Sequence, residues 1–134
     1  MSDARTVEWM AVPKRILLLN NELRVTRLVR QAFQNTGEYL FNEESNPQIA
    51  FRTAQNFQPD IIFFDLTGNA LNWSDALQQI RSHFGFAKTP FVMLSSTSGD
   101  GSIAYSSSVD GYEFSANPVK VEELVRYVEE MLQV

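Results

Sequence analysis

Three short runs of consecutive apolar residues constrain how this chain can fold. They occupy residues 16–19, 61–64 and 91–94, and a polar residue follows each run. A strand that is buried on both faces has a continuous apolar sequence, because helices cover both sides of the parallel sheet in which it lies. The three runs therefore predict central strands of a parallel β-sheet, and weaker strands are predicted over residues 39–41 and 112–115.

Helical patterns alternate with these strands. Residues 22–35 carry apolar side chains at positions i, i+3, i+4 and i+7, and Gly37 follows as a stop signal. Further helices are predicted over residues 47–57, 73–84, 102–109 and 122–132, although the segment 102–109 is rich in serine and a poor helix former. Because strands and helices alternate five times, the sequence predicts an α/β fold with a doubly wound, five-stranded parallel sheet and helices on both faces.

The composition is that of one globular domain. The chain has 134 residues, of which 44% are hydrophobic and 20% are charged, and it has no apolar run of the roughly 20 residues that span a membrane. Residues 1–13 show no signal-peptide pattern, so we expect an N-terminal extension over 1–13, a single domain over 14–134 and a cytoplasmic location. A formal net charge of −5 argues against direct binding of nucleic acid.

Polar residues follow the predicted strands at the places where ligands bind. In a doubly wound sheet, ligands bind beyond the carboxyl ends of the strands. Those positions hold Asn20, Asn21, Asp65, Ser95 and Asn117. Asp65 lies 44 positions after Asn21, Ser95 lies 30 positions after Asp65, and Asn117 lies 22 positions after Ser95. These five residues form the candidate site.

The spacing and the local sequence together resemble the receiver domains of two-component response regulators, the CheY-like family. Residues 59–66 read Pro-Asp-Ile-Ile-Phe-Phe-Asp-Leu, which is similar to the phospho-acceptor strand of that family. Residues 90–95 read Pro-Phe-Val-Met-Leu-Ser, which is similar to its fourth strand. The resemblance covers residues 14–132 and implies a flavodoxin-like fold and a signalling role in a phosphorelay rather than an enzyme.

The resemblance also implies roles for individual residues. Asp65 stands at the phospho-acceptor position, and Ser95 stands at the position of the switch hydroxyl that follows the phosphoryl group. Phe114 corresponds to the aromatic residue that changes rotamer with the switch, and Thr67 to the residue whose carbonyl binds the metal. Each residue also has a simpler interpretation, since Asp65 could cap a loop, Ser95 could be a solvated loop residue and Phe114 could belong to the core.

Three of the five pocket positions depart from the pattern of the family. The acidic pair expected after the first strand is Asn20-Asn21, which is also an ordinary turn sequence, and the lysine expected before Pro118 is Asn117. The usual Met-Pro-Gly-like loop after the acceptor is replaced by Gly-Asn-Ala at residues 68–70.

The departures weaken the chemistry that the resemblance implies. Mg²⁺ gives up water reluctantly and needs carboxylates, so a metal site made of Asp65, Asn20, Asn21 and the Thr67 carbonyl is predicted to bind Mg²⁺ weakly or not at all. Phosphoryl transfer to Asp65 is predicted to be slow, because Asn117 cannot supply the positive charge of a lysine.

Two functions therefore remain open at this point. In the first, the chain is a receiver that accepts a phosphoryl group at Asp65 from a histidine kinase or a phosphotransfer protein. In the second, it is a pseudo-receiver that acts as a protein–protein interaction module without phosphorylation. Both functions require a downstream signalling protein as a partner, and the sequence identifies neither that partner nor the oligomeric state.

Overall fold

A computed structural model describes residues 13–20, 23–66, 72–97, 102–109 and 112–133. Within these residues the chain forms six strands, which are β1 (Lys14–Leu19), β2 (Tyr39–Glu44), β3 (Ile61–Asp65), β4 (Phe91–Thr97), β5 (Ser102–Val109) and β6 (Tyr112–Lys120). It also forms four α-helices, which are α1 (Leu23–Gln34), α2 (Ala50–Phe57), α3 (Ser74–Ser82) and α4 (Val121–Leu132). A 3₁₀ turn at Phe84–Phe86 follows α3. None of the helices in this described part is long and apolar enough to cross a membrane.

The six strands form one mixed sheet in the order β2-β1-β3-β4-β5-β6. The strands β2, β1, β3 and β4 are parallel to one another, with Leu19 opposite Phe64 and Asp65 opposite Leu94. In contrast, β5 runs antiparallel to β4, and β6 runs antiparallel to β5. The strand β6 therefore points in the same direction as β4 but is separated from it by β5.

The buried strands supply two apolar layers, one on each face of the sheet. Alternate residues of β1 point to opposite faces, so Leu18 packs with α1 and α4 while Leu19 packs with α2 and α3. Phe33 of α1 belongs to the first layer, and Trp73, which precedes α3, belongs to the second. Burying each large apolar side chain contributes roughly 1.5–3 kcal/mol before the entropy of ordering is subtracted. The continuous apolar runs were therefore correctly interpreted as strands covered on both sides.

The predicted α/β fold is confirmed, but the prediction of five strands, all parallel, is wrong. The serine-rich segment predicted as a helix over residues 102–109 is the strand β5. Its Ile103 and Ser107 are buried and Tyr105 packs against the first apolar layer, which is the alternation of a half-covered strand. Serine competes for backbone hydrogen bonds within a helix, so this segment gains more from pairing with the free edge of β4 than from helix formation.

Several boundaries also differ from the predicted ones. The strand predicted over residues 112–115 continues to Lys120 as β6, so Asn117 lies within a strand rather than after one. The helix predicted from residue 47 begins at Ala50, and the helix predicted to reach residue 84 ends at Ser82. The predicted division into an extension over 1–13 and a domain over 14–134 remains a prediction, because residues 1–12 lie outside the described residues.

Candidate functional site

Asp65 is the last residue of β3 and lies at the carboxyl edge of the parallel part of the sheet. Its side chain is buried, with 3% of its surface exposed, and it is opposite Leu94 of β4. The backbone N–H of Leu66 donates to the carbonyl of Leu94 at 2.7 Å, so pairing with β4 extends past Asp65. Asn20 and Ser95 lie at the same edge of the sheet. Asn20 directly follows the buried residues of β1, and Ser95 directly follows the buried Leu94 of β4.

Asn20 joins the ends of three strands through hydrogen bonds. Its side-chain Nδ2 donates to the backbone carbonyl of Asp65 at 3.0 Å, and its backbone N–H donates to the carbonyl of Glu44 at 3.0 Å. The residue has a φ of 53°, a left-handed conformation that asparagine tolerates better than most residues. The Asn20 amide therefore connects β1 to β3, while its backbone connects β1 to β2.

Ser95 is tied to the inserted strand rather than to Asp65. Its side chain is exposed, and its Oγ donates to the backbone carbonyl of Ala104 in β5 at 3.0 Å. The pairing of β4 with β5 shifts register between Leu94 and Ser96, directly at this residue. A strand partner thus holds the hydroxyl at the candidate switch position.

Asn117 and Phe114 lie on β6, on the far side of β5. Phe114 is opposite Ser107, and Asn117 falls where the pairing of β5 and β6 shifts register between Ile103 and Tyr105. Neighbouring strands lie about 4.8 Å apart, so the three spacings from β3 to β6 separate these strands by about 14 Å. In the predicted five-stranded sheet, two such spacings would separate β3 from the last strand. The inserted strand therefore moves the backbone of Asn117 away from Asp65.

The described residues do not form a site that suits Mg²⁺. Asn21 and Thr67, which were predicted to take part in metal binding, lie outside the described residues. In the part of the chain that is described, no three His, Cys, Asp or Glu side chains come together to hold a metal ion. The nearby carboxylate of Glu44 accepts hydrogen bonds from the Thr53 hydroxyl at 2.8 Å and from the backbone N–H of Asn46 at 3.1 Å. Asp65 with neutral amides is a poor donor set for a hard cation.

One contact at the site was missed in the sequence. The carbonyl of Ala104 was missed because residues 102–109 were predicted as a helix. Ile103, Tyr105 and Val109 alternate as in a strand, but the polar Ser107 interrupts that pattern. Trp73 lies close to the site, because its buried ring packs edge-on against Phe64, the residue before Asp65, with 5.4 Å between the ring centroids.

Comparison with known proteins supports the fold at low sequence similarity. No family model matches the chain, and no curated protein matches it. Among solved structures, it is similar to the chemotaxis response regulator CheY4 of Vibrio cholerae, with a TM-score of 0.52 and 20% identity. The match covers 66% of this chain and 74% of CheY4. The chain therefore has a CheY-like receiver fold, with an additional antiparallel strand in its sheet.

Proposed function

We propose that this chain is a receiver-type signalling domain that acts as a protein–protein interaction module without aspartyl phosphorylation. The observation that carries this proposal is the position of β5 between β4 and β6. It places an additional strand between Asp65 and the strand that bears Asn117, the residue at the position of the family's lysine. Both the identity and the position of that residue thus disfavour phosphoryl transfer.

Charge at the site supports the same proposal. Transfer of a phosphoryl group concentrates negative charge on its equatorial oxygens, and cations must offset that charge in the transition state. Asn20 and Ser95, which lie with Asp65 at this edge of the sheet, are neutral, and their side chains donate hydrogen bonds to backbone carbonyls. Each missing unit charge at about 4 Å corresponds to roughly 4 kcal/mol at an effective dielectric constant of about 20. A site of this kind transfers phosphoryl groups slowly at best.

The hydrogen bonds at the sheet edge suit a rigid binding scaffold. Asn20 connects β1 with β2 and β3, and Ser95 connects β4 with β5. In the proposed role, the domain presents one constant surface to a downstream signalling protein in the cytoplasm. Its interaction with that protein depends on the abundance of the two chains rather than on a phosphorylation state.

A second candidate is a receiver that is phosphorylated at Asp65 by a histidine kinase or a phosphotransfer protein. The burial of Asp65 at the carboxyl end of β3 favours this alternative, because ligands of doubly wound sheets bind at that edge.

A phosphoryl mimic distinguishes the two candidates. Beryllium fluoride with Mg²⁺ is titrated into the ¹⁵N-labelled domain, and amide shifts are followed around Ser95 and Phe114. We expect no saturable shift at either residue; saturable shifts at both would favour the phosphorylated receiver.

A charge-restored variant serves as the matched comparison. Asn20→Asp, Asn21→Asp and Asn117→Lys together return the family's charges without removing β5. We expect the variant to gain Mg²⁺ binding through its new carboxylates, but to remain unresponsive to beryllium fluoride because β6 stays distant. A full response of this variant would show that charge loss alone inactivates the site, and the argument from β5 would be wrong.

A further inference from the structure

A small cavity with both apolar and polar walls lies at the opposite edge of the sheet from Asp65. Its volume is about 100 Å³, and its walls include the buried side chains of Ile62, Ile80, Phe86 and Phe91. Ile62 is the second residue of β3 and Phe91 is the first of β4, so the cavity lies where these parallel strands begin. It is therefore separate from the candidate site at the carboxyl ends.

One cation and two hydroxyl-bearing residues also line this cavity. Arg81 of α3 lines it together with Thr89 and Ser108. The guanidinium carbon of Arg81 lies 5.4 Å from the centroid of the Phe91 ring, and its Nη2 donates to Ser108 Oγ at 3.2 Å. These two contacts hold the guanidinium beside the cavity.

The charge of Arg81 has no counterpart among the described residues. None of their carboxylates forms an ion pair with Arg81, whereas Arg30 on α1 is paired with Glu43. A guanidinium carries five N–H donors, so the single bond to Ser108 leaves donors for a further acceptor. A cavity that has apolar side chains on part of its wall and an oriented cation on another part is complementary to a ligand with an apolar body and an anionic end.

We propose that this cavity binds a small apolar carboxylate, with its hydrocarbon part among Ile62, Phe86 and Phe91 and its carboxylate on Arg81. A cavity of about 150 Å³ holds a benzene molecule, so one of about 100 Å³ suits a branched chain of about four or five carbon atoms. The same chemistry is presented by a free branched-chain acid and by the terminal carboxylate of a peptide that ends in leucine. The site does not depend on any chemistry at Asp65.

Isovalerate is the probe for this site, and isovaleramide is its neutral match of nearly equal shape. The probe is titrated into the ¹⁵N-labelled chain, and amide shifts are followed at Phe86, Thr89 and Ser108. We expect saturable shifts with isovalerate and at least about tenfold weaker binding of isovaleramide, because the amide has no negative charge and offers Arg81 one acceptor oxygen instead of two. Absence of saturable shifts with isovalerate, or equal binding of the amide, would overturn the proposal.

Variants test the role of Arg81 directly. Arg81→Gln should weaken isovalerate binding about tenfold or more, whereas Arg52→Gln, which changes an exposed arginine of α2 outside the cavity, should leave it unchanged. Ala87→Leu should block the cavity and abolish the shifts. Equal loss in both arginine variants would overturn the assignment to Arg81, and unchanged binding in Ala87→Leu would overturn the assignment to the cavity.

A parallel arm with a short peptide ending in leucine identifies the source of the ligand. Tighter binding of the peptide than of isovalerate assigns the site to a protein terminus. Tighter binding of the free acid assigns it to a small metabolite.

Discussion

The side-chain amide of Asn20 donates a 3.0 Å hydrogen bond to the backbone carbonyl of Asp65. This bond joins the end of β1 to the end of β3 at the position where the receiver family, by resemblance, has a metal-binding carboxylate. The amide thus connects the two strands directly. Because a neutral amide cannot attract Mg²⁺ as a carboxylate does, the same residue that stabilises this edge weakens it as a metal site.

Variants at Asn20 should separate its backbone role from its side-chain role. Asn20→Gly removes the bond to Asp65 but accepts the left-handed φ of 53°, so we expect a loss of about 1 kcal/mol in the free energy of unfolding. Asn20→Ala should lose about 1 kcal/mol more, because an L-residue with a Cβ is strained there. Urea denaturation measures both values. An alanine variant as stable as the glycine variant would argue against the left-handed conformation.

Magnesium should bind weakly or not at all. Asp65 and Glu44 are the carboxylates at the described strand ends of this edge, and Glu44 already accepts hydrogen bonds from Thr53 and Asn46. Two amides cannot replace the missing charges beside Asp65. Because Trp73 packs on Phe64 beside Asp65, its fluorescence reports on the site, and Trp9→Phe removes the other tryptophan signal. We expect no saturable change in the millimolar range of Mg²⁺. A submillimolar dissociation constant, confirmed by calorimetry, would contradict this prediction.

The inserted strand should be visible in solution. Phe91 is opposite Ser108 and Met93 is opposite Ser106 in an antiparallel pairing, so we expect nuclear Overhauser effects between the backbones of β4 and β5. Amides of β5 that donate to β4 or β6 should exchange slowly with solvent. Medium-range effects typical of a helix over residues 102–109 would refute the strand.

Alkaline pH should weaken the packing of α4 against the start of β2. Burial, followed by the nearby carboxylate of Glu129, raises the pKa of Tyr39 above its usual value, and the Tyr39 hydroxyl donates to Glu129 Oε2 at 2.6 Å. A raised pKa in the folded state means that folding favours the neutral phenol. The contribution of Tyr39 to the free energy of unfolding is therefore complete below the unfolded pKa of 10.0 and decreases as pH rises above that value.

Tyr39→Phe is the matched variant for this prediction. The free energy of unfolding should fall less steeply between pH 9 and about 11 in the variant than in the parent chain. Some decrease should remain, because burial also raises the pKa of Tyr105. Equal slopes in the two proteins would contradict the role assigned to Tyr39.

The sequence predicted the parallel core because burial on both faces leaves a clear pattern. The apolar runs within β1, β3 and β4 contain no polar residue and are too short for a typical helix, so a buried strand was the interpretation that suited them. The strand β5 was missed because Ser107 is polar yet buried, with its hydroxyl 3.1 Å from the Tyr127 hydroxyl. A polar residue at a buried position conceals strand alternation until its partner on a distant helix is known.

The sequence predicted which residues lie at the candidate site, but not which groups their side chains bond to. Register along the sequence located Asn20, Asp65 and Ser95 at the carboxyl edge, where the structure also has them. The sequence could not indicate that Asn20 bonds to a carbonyl of β3 or that Ser95 bonds to Ala104, because both bonds depend on strand order. The distance of Asn117 from Asp65 depends on the same order.

Labelling by acetyl phosphate tests the central claim most directly. The chain is incubated with acetyl phosphate and Mg²⁺, and the mass of the intact protein and of the peptide that contains Asp65 is measured. We expect no phosphoryl adduct on Asp65, and the Asp65→Asn variant should give the same spectrum as the parent chain. An adduct that forms at Asp65 and disappears in Asp65→Asn would contradict the proposal that this receiver fold acts without phosphorylation.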